Sequence, residues 1–214
     1  AERAAEESDA IVVTHGTDTM AESAYLLDLT TALGVPIAFT GAQRPFDQVG
    51  TDGPPNLLAA VRTLADDRVD AGTFLVFDDE VHAARDVVKS HTSALSTFRS
   101  PERGPVGEFT PQGLRLFREP RSYSNAVSEV GSIEAEIPIL TSGLGVSGAA
   151  LRRVVGDFED PAVDGIVVAG TDAKSGEGGP VRGDDAVEYV RGRLRPRIEQ
   201  GVPVRVRTHR WLGK

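Results

Sequence analysis

The sequence is poor in several residue types, and each shortage narrows the range of possible functions. It contains no cysteine, which excludes disulfide bonds and thiolate zinc sites. Lysine occurs only as Lys89, Lys174 and Lys214, and arginine supplies the other positive side chains. The net charge of -9 argues against a nucleic-acid-binding surface. An acidic chain with so little lysine also suggests the hypothesis of a salt-adapted protein, whose folding would depend on salt.

Long apolar runs are absent as well. No run in the sequence approaches the roughly 20 residues that a membrane-spanning helix needs, and no signal-peptide pattern opens it. The composition is that of a globular protein, with 40% hydrophobic and 26% charged residues among 214. This length allows one large domain or two small ones. We therefore expect a cytoplasmic protein that binds neither membranes nor nucleic acids.

One stretch, residues 11–20, combines a strand signal with a run of polar side chains. Residues 11–13 are β-branched and apolar, as in a buried strand. Gly16 permits a sharp turn, and the polar residues 17–19 then come directly before a helical pattern. Ligand sites of open α/β sheets lie at this point, after a strand and before a helix. The helix N-terminus there also favours a bound anion.

The same polar residues also suit helix capping. Thr19 and Glu22 have the spacing of a capping box, in which both side chains bond N–H groups at the start of a helix. Asp18 would favour the positive end of the helix dipole. Caps are common, and a cap and a ligand site do not exclude each other, so both interpretations stay open.

Strand signals alternate with helical patterns in the first part of the chain. The pattern predicts strands at Ile11–Thr14, Val35–Phe39 and Thr73–Phe77, and helices at Met20–Leu33 and Asn56–Arg68. Such alternation predicts an α/β fold in which crossovers join parallel strands. Asn56 is expected to cap the second helix. The inward positions of that helix are predicted to be Leu57, Ala60, Val61 and Leu64.

Polar, irregular sequence divides the chain further along. The pattern of residues 104–117 predicts a β-hairpin. The polar stretch Glu119–Glu136 shows no clear helical or strand periodicity of apolar residues. Beyond it, Ile137–Leu140 and Ile166–Ala169 are predicted strands of a second β-α-β-α-β unit. The predicted organisation is a first domain at residues 1–120, a linker at 121–136 and a smaller α/β domain at 137–214.

Several segments, in order along the chain, resemble the L-asparaginase family. The matching segments are His15–Met20, Ala24–Leu29, Gly41–Pro45, Asp52–Pro54 with Asn56–Leu57, Arg85–Lys89 with Thr92, and Thr97–Phe98. The resemblance is close over about residues 8–110 and looser afterwards. Several ordered motifs at family spacing are far more specific than a lone Gly-Thr-Asp sequence.

The resemblance implies an amidohydrolase that converts L-asparagine to L-aspartate and ammonia, assembled as a homo-oligomer, either a dimer or a tetramer. It also implies a flavodoxin-like parallel-sheet domain followed by a smaller Rossmann-like α/β domain. Thr17 would lie beside the scissile amide, Asp18 would bind the α-amino group of the substrate, and Lys89 would contact Thr17. Gly16 and Ala42 would complete the substrate-binding residues. No metal or organic cofactor is implied.

These residue types suit the chemistry of asparagine, which presents an ammonium, a carboxylate and an amide. Asp18 suits the ammonium through a charge-assisted hydrogen bond, and a helix N-terminus suits the carboxylate. A threonine hydroxyl is a weak nucleophile until a base takes its proton, and a partly buried lysine can act as that base. We therefore expect Thr17, Lys89 and Asp18 to form a hydroxyl–amine–carboxylate relay.

The sequence departs from the family pattern in two places. Family members carry a Thr-Gly-Gly-Thr strand whose first threonine is the principal nucleophile, and no such segment occurs in these 214 residues. We therefore expect the chain to be inactive unless that segment is supplied. The loop Gly170–Gly179 also lacks the asparagine of the Gly-Asn sequence that family members have after the corresponding strand.

Two other functions stay open. One is the asparaginase-like subunit of the archaeal glutamyl-tRNA amidotransferase, although Gln43–Phe46 and Asp52–Pro54 look more like the free asparaginases. The other is a non-catalytic protein that binds an amino acid through Asp18 and the helix N-terminus. Aspartate binding without ammonia release would favour this second alternative.

Overall fold

A computed structural model describes residues 1–30, 33–119, 135–141, 153–154, 163–164 and 167–169. The chain divides into two units, Ala1–Gly131 and Ser132–Lys214. Within the described residues, no helix is long and apolar enough to cross a membrane.

The first unit is an α/β fold. Its described elements in chain order are α1 (Glu2–Ala5), β1 (Ile11–Thr14), α2 (Met20–Thr30), β2 (Ile37–Thr40), α3 (Gly53–Leu64), β3 (Thr73–Phe77), β4 (Glu80–Ala83), β5 (Val88–Lys89), β6 (Phe98–Arg99), β7 (Gly107–Thr110) and β8 (Gly113–Leu116). Six strands form one sheet in the order β1-β2-β3-β4-β7-β8. β1, β2 and β3 run parallel, whereas the β3–β4, β4–β7 and β7–β8 pairs are antiparallel. β5 and β6 form a separate antiparallel pair.

The hydrophobic core lies on both faces of β2 and β3, whose residues are all buried. Alternate side chains of a strand point to opposite faces. Phe39 and Phe77 accordingly join a cluster that contains the start of α2, while Ala38 and Phe74 join a second cluster that contains α3. Central parallel strands covered on both faces are typical of α/β proteins.

The predicted α/β class and its parallel crossovers are confirmed. The strands predicted at Ile11–Thr14 and Thr73–Phe77 have those bounds in the structure. The predicted strand Val35–Phe39 is observed at Ile37–Thr40, and the predicted hairpin within residues 104–117 is the β7–β8 pair. The sheet is mixed because the chain turns back directly after β3, and β4, β7 and β8 extend it in antiparallel fashion.

The start and the buried face of α3 differ from the prediction. The helix begins at Gly53, and Pro54 and Pro55 lie in its first turn, where a proline removes no helical hydrogen bond. Asn56 is therefore inside the helix, buried, and does not cap it. The predicted inward residues Leu57 and Val61 are exposed. The buried residues of α3 are Asn56, Ala59, Ala60 and Thr63.

In the second unit, the described strands are β9 (Ile139–Thr141) and β10 (Val167–Ala169). They pair in parallel, with Ile139 opposite Val167 and Thr141 opposite Ala169. Parallel strands require a crossover connection, as an α/β unit has. The helices and the remaining strand of the predicted β-α-β-α-β unit, together with the loop Gly170–Gly179, lie outside the described residues, apart from positions 153 and 154.

Candidate active site

The parallel strands end at one edge of the sheet. β1 and β2 are in register to their last residues, Thr14 and Thr40. The N–H of His15 continues this pairing by donating to the Thr40 carbonyl at 2.9 Å. Residues 15–19 then form the connection to α2, which begins at Met20. The polar residues of the sequence motif therefore lie at the carboxyl end of the sheet, where α/β ligand sites occur.

Lys89 lies against this connection and contacts two of its side chains. The Lys89 Nζ donates to Thr17 Oγ1 at 2.9 Å and to Asp18 Oδ1 at 2.7 Å. The Lys89 side chain is 14% exposed, whereas that of Asp18 is 92% exposed. The amine is thus largely shielded from water, while the carboxylate that it holds faces solvent.

Lys89 reaches this position because its strand is anchored in the core. It pairs with Phe98 across the β5–β6 ladder. Phe98 is buried, and its ring packs edge-on against Phe77 with the centroids 5.0 Å apart. Met20, the first residue of α2, belongs to the same hydrophobic cluster. One cluster therefore fixes both the lysine strand and the helix start that follows the polar residues.

The loop between β5 and β6 is closed by the buried residue Thr97. The Thr97 carbonyl accepts hydrogen bonds from the Ser90 N–H at 2.7 Å and from the Ser90 hydroxyl at 2.8 Å. The Thr97 hydroxyl donates to the His91 carbonyl and accepts from the His91 N–H. Because these bonds follow Lys89 directly in the chain, they hold the strand that presents the amine.

The electrostatics of the cluster favour an ionised Asp18. The hydrogen bond from Lys89, and then its positive charge, lower the pKa of the Asp18 carboxyl below the ordinary value. Oδ1 is the oxygen that accepts from Lys89, and Oδ2 accepts no hydrogen bond from the described residues. A carboxylate with one oxygen exposed to solvent can accept a hydrogen bond from a ligand ammonium.

The loop after β2 is held by two buried polar residues whose role the sequence did not reveal. The Asp52 carboxylate accepts from the N–H groups of Gln43 and Arg44, each at 2.9 Å, and from Asn56 Nδ2 at 3.1 Å. Asn56 also donates to the Gly41 carbonyl at 3.0 Å. The sequence signal for these two residues was their place in the matching segments Asp52–Pro54 and Asn56–Leu57 of the family resemblance.

Asn56 links this loop to the next strand as well. Its Oδ1 accepts from the N–H of Asp78, at the end of β3, at 3.0 Å. The loop also approaches the motif closely at Gly41, where an added Cβ would overlap the His15 carbonyl oxygen and lie 2.8 Å from Met20 Cε. The ends of all three parallel strands are thus joined by short polar or steric contacts.

The structure brings three of the predicted site residues into direct contact, namely Thr17, Asp18 and Lys89. Gly16 is in the same connection, and a Cβ added there would meet no atom within 4 Å. Ala42 is exposed in the neighbouring loop, beside Gly53. In the described part of the chain, Ala42 makes no hydrogen bond to the other predicted site residues.

The capping box predicted from Thr19 and Glu22 does not form. Within the described residues, the Thr19 hydroxyl makes no hydrogen bond, and its carbonyl accepts the helical bond from the Ser23 N–H at 2.9 Å. The carboxylate of Asp18 is occupied by Lys89 instead. Thr17 and Asp18 therefore serve the lysine contact, and Thr19 and Glu22 do not form the side-chain cap.

No metal centre accompanies the cluster. Among the described residues, no group of three or more His, Asp or Glu side chains could hold a metal ion. An open cavity of about 710 Å³ lies elsewhere, lined by Arg68, Asp70 and residues 116–119. The Arg68 guanidinium is already bound to Asp66. The Lys89 cluster is therefore the stronger candidate for chemistry.

The sequence is similar to those of known proteins. The family model "Asparaginase, N-terminal" matches residues 1–122. L-asparaginase 2 of Escherichia coli is 36% identical over 171 residues, which are 77% of this chain and 48% of that protein. L-asparaginase 2 of Bacillus subtilis is 43% identical over 105 residues, 49% of this chain and 28% of that protein.

A solved structure is similar too. The crystal structure described as a probable cytoplasmic L-asparaginase from Campylobacter jejuni has a TM-score of 0.76 and 28% identity, covering 98% of this chain and 66% of that one. The chain thus spans at most about half the length of these two sequence relatives. Because the family model matches more than half of the sequence, and relatives align at these identities, the chain belongs to the asparaginase family.

Proposed function

We propose that the protein hydrolyses L-asparagine to L-aspartate and ammonia, with Thr17, Lys89 and Asp18 in its active site. The observation that carries this proposal is the single amine of Lys89 shared between a hydroxyl and a carboxylate at the carboxyl end of the sheet. The family membership supplies the reaction type. The relatives named L-asparaginase supply the substrate.

Asp18 recognises the ammonium group of the substrate. Its side chain is almost fully exposed, and Lys89 keeps it ionised by lowering its pKa. The exposed oxygen Oδ2 accepts a charge-assisted hydrogen bond from the α-ammonium. The start of α2, together with Gly16 in the connection before it and Ala42 in the neighbouring loop, borders the position of the substrate carboxylate.

Thr17 and Lys89 act on the amide. In its free-base form, the Lys89 amine takes the proton of the Thr17 hydroxyl, 2.9 Å away. Asp18 stabilises the ammonium that results, since it accepts from the same nitrogen. The deprotonated Thr17 oxygen in turn takes the proton of the nucleophile, whose oxygen adds to the amide carbon. The C–N bond then breaks, and the nitrogen leaves as ammonia with the proton that Lys89 holds, while water supplies the second oxygen of the aspartate carboxylate. In the family resemblance the principal nucleophile is a threonine of a Thr-Gly-Gly-Thr segment, which these 214 residues do not contain.

Binding and turnover test the proposal separately. Titration calorimetry of the chain with L-aspartate should give binding that Asp18→Asn weakens by about tenfold or more, because the charge-assisted bond is lost. Asp67→Asn is the matched control, since Asp67 is also an exposed aspartate but lies away from the cluster. Equal binding by the Asp18 and Asp67 variants would contradict the role of Asp18.

Turnover is measured in a protein that includes a Thr-Gly-Gly-Thr segment. Lys89→Met should lower kcat by about 100-fold or more, as expected for loss of a general base. Arg62→Met is the control, because it removes a positive charge from the exposed side of α3. Unchanged ammonia release in the Lys89 variant would refute the relay. Aspartate binding with no ammonia release, even with the segment present, would favour a non-catalytic binding protein.

Assembly and location complete the proposal. We propose a cytoplasmic homo-oligomer, a dimer or a tetramer, in keeping with the Campylobacter jejuni protein described as cytoplasmic. A relative from Haemophilus influenzae, 42% identical over 116 residues, which are 54% of this chain and 33% of that protein, is instead named a probable periplasmic L-asparaginase. Light scattering of the purified protein and fractionation of cells that express the natural gene test the two statements. A monomer, or a periplasmic protein, would contradict them.

A further inference from the structure

The peptide that joins Gly16 to Thr17 carries the site threonine, and Gly16 itself supplies no side-chain packing that would hold this peptide. Gly16 has no Cβ, and an added one would meet no atom within 4 Å. Glycine samples a wide range of backbone conformations. The orientation of this peptide, and with it the position of Thr17, therefore depends on a restraint from another group.

His15 supplies that restraint. Its Nδ1 lies 2.7 Å from the Gly16 carbonyl oxygen. A carbonyl oxygen can only accept, so Nδ1 carries the hydrogen and donates it. A peptide unit is planar. Fixing the Gly16 oxygen therefore also fixes the plane in which the Thr17 Cα lies.

The imidazole is itself held on three sides. With the hydrogen on Nδ1, a neutral ring leaves Nε2 as an acceptor, and the Ser23 hydroxyl donates to it at 3.1 Å. The ring lies against Phe39 of β2, with the centroids 6.1 Å apart. The backbone N–H of His15 donates to Thr40. The ring thus connects the motif to α2 and to the core strand beside it.

We propose that His15 is a positioning residue that sets the Thr17 hydroxyl against the Lys89 amine through the Gly16–Thr17 peptide. The inference deepens the proposed function and rests on it, because this geometry matters for catalysis only if the site acts on an amide. His15 itself bonds Gly16 and Ser23, and in the described part of the chain it makes no hydrogen bond to Lys89. It acts through the backbone and not on the substrate.

Two substitutions at this position separate the restraint from the mere presence of a ring. In His15→Asn, the side-chain amide nitrogen takes the place of Nδ1 and can still donate to the Gly16 carbonyl. In His15→Gln, the amide group takes the place of Nε2, and the Nδ1 donor is lost. Ser23→Ala removes the group that orients the ring, and alanine is the best helix former, so this variant tests the proposal with α2 intact.

The readout is the rate at which an amine-acylating reagent modifies Lys89 in the full 214-residue chain. The chain has only three lysines, so peptide mass spectrometry assigns each modification, and Lys174 and Lys214 serve as internal references for reagent reactivity. Lys89 is shielded and paired, so it should react slowly. We expect His15→Gln to raise its rate by about tenfold, since bonds to a charged group are lost or loosened. In His15→Asn, the Lys89 modification rate should stay close to that of the unchanged chain. In Ser23→Ala, the rate should lie between those of the unchanged chain and His15→Gln.

Long-range nitrogen–proton NMR spectra give a second readout. They should assign the neutral Nδ1–H tautomer to His15 in the unchanged chain and a mixture of tautomers in Ser23→Ala. Circular dichroism checks that each variant is folded. Equal rates of Lys89 modification in the unchanged chain, in His15→Gln and in Ser23→Ala would overturn the proposal. So would a His15→Asn variant that reacts as fast as His15→Gln, since the ring would then act only by its bulk.

The outcome is independent of the proposed hydrolysis. Ammonia release is measured in parallel, in a protein that includes a Thr-Gly-Gly-Thr segment. If the contrast between Asn and Gln variants appears but no variant or parent releases ammonia, the restraint of Thr17 stands and the proposed function fails. If ammonia is released at equal rates by the Asn and Gln variants, and Lys89 labelling is equal too, the proposed function stands and the positioning role fails.

Discussion

Gly41 and Gly16 lie on neighbouring loops, yet only Gly41 is required by close packing. A Cβ at Gly41 would overlap the His15 carbonyl and crowd Met20, whereas one at Gly16 would enter open space. Gly41→Ala should therefore destabilise the chain by about 2 kcal/mol, because overpacking displaces the motif backbone. Gly16→Ala should change the unfolding free energy by less than about 0.5 kcal/mol.

Urea denaturation of both variants checks this contrast. The two substitutions are the same change of residue in adjacent loops, so each is the control for the other. A destabilised Gly16→Ala with an unaffected Gly41→Ala would contradict the packing of β1 and β2 at this edge.

His82 makes the folded state sensitive to acid. It is buried, its Nδ1 is 3.0 Å from the Ser100 hydroxyl, and burial, then Arg99 and Arg118, lower its pKa to about 4. Glu80 Oε2 lies 3.5 Å from Nε2, but this pair is an ion pair only if the ring is protonated. Burial outweighs the carboxylate because removing the imidazolium from water costs more than one half-exposed partner returns.

The direction of the pH dependence follows from this lowered pKa. Between about pH 6.5 and pH 4, the unfolded chain binds a proton at His82 that the folded chain does not. The free energy of unfolding therefore decreases as the pH is lowered through this range. The loss should reach about 3 kcal/mol at pH 4. Denaturation of His82→Asn over this range measures it, because asparagine keeps a polar atom near Ser100 but does not titrate. If the unfolding free energies of the unchanged chain and of His82→Asn depend on pH in the same way, His82 is not the source of the acid sensitivity.

Single residues differ in how far the sequence reveals them. Thr17, Asp18 and Lys89 were predicted to meet because family motifs place them together, and the structure brings them within hydrogen-bond distance. The roles of Asp52 and Asn56 were not predicted. Each depends on backbone N–H and C=O groups of distant loops, which become neighbours only when the sheet forms.

Among the secondary-structure elements, α3 shows why an apolar pattern can indicate the wrong face. Its buried residues, Asn56, Ala59, Ala60 and Thr63, have helical spacing but little hydrophobicity. Small side chains allow the helix to approach the sheet closely, and the Thr63 hydroxyl bonds the Ala59 carbonyl at 2.9 Å. Asn56 is satisfied by Gly41, Asp52 and Asp78. Larger apolar residues, including Leu57 and Val61, remain exposed.

The turn between β3 and β4 offers a prediction at the level of this hairpin. Asp78 and Asp79 have φ values of 50° and 62°, and Phe77 pairs with Glu80 on either side. Two-residue hairpin loops with positive φ at both positions favour Asn-Gly and Asp-Gly sequences. Asp79→Gly should therefore stabilise the chain by about 1 kcal/mol, since glycine adopts positive φ without steric cost.

Thermal denaturation measures this effect against Asp67→Gly. Asp67 is an exposed aspartate in another turn and has no positive φ. Glycine there should leave stability unchanged or lower it, because it adds conformational entropy to the unfolded chain. Destabilisation by Asp79→Gly would show that the aspartate side chain, and not the backbone angle, determines this turn.

At the scale of the whole molecule, the order of strands and helices in the first unit was predictable because buried parallel strands have a strong sequence pattern. The antiparallel extension by β4, β7 and β8 was predicted only in part: the β7–β8 hairpin was expected within residues 104–117, but its place beside β4 in one sheet was not. β5 and β6, of two residues each, are defined by the bonds of Thr97 and the packing of Phe98 rather than by a local pattern. Short elements of this kind depend on tertiary contacts, and the periodicity of apolar residues in so short a segment gives no information about such contacts.

The net charge of -9 affects the stability of the whole chain. Excess negative charge repels itself in the folded state, and added salt screens it, with a Debye length of about 10 Å at 0.1 M. We expect the Tm to rise by about 5 °C between roughly 0.01 M and 0.3 M sodium chloride and to change little at higher salt. A calorimetric series over these concentrations measures the rise.

Charge substitutions distinguish repulsion from other effects of salt. Asp47 and Asp67 are exposed and form no ion pair in the described part of the chain. Replacing both by lysine adds four units of positive charge, which should raise the Tm at low salt and reduce the gain on adding salt. Replacing both by glutamate keeps the charge and should preserve the full gain. If the lysine and glutamate variants respond equally, salt acts by preferential exclusion or ion binding, and the self-repulsion account, with the salt-adaptation hypothesis built on it, is wrong.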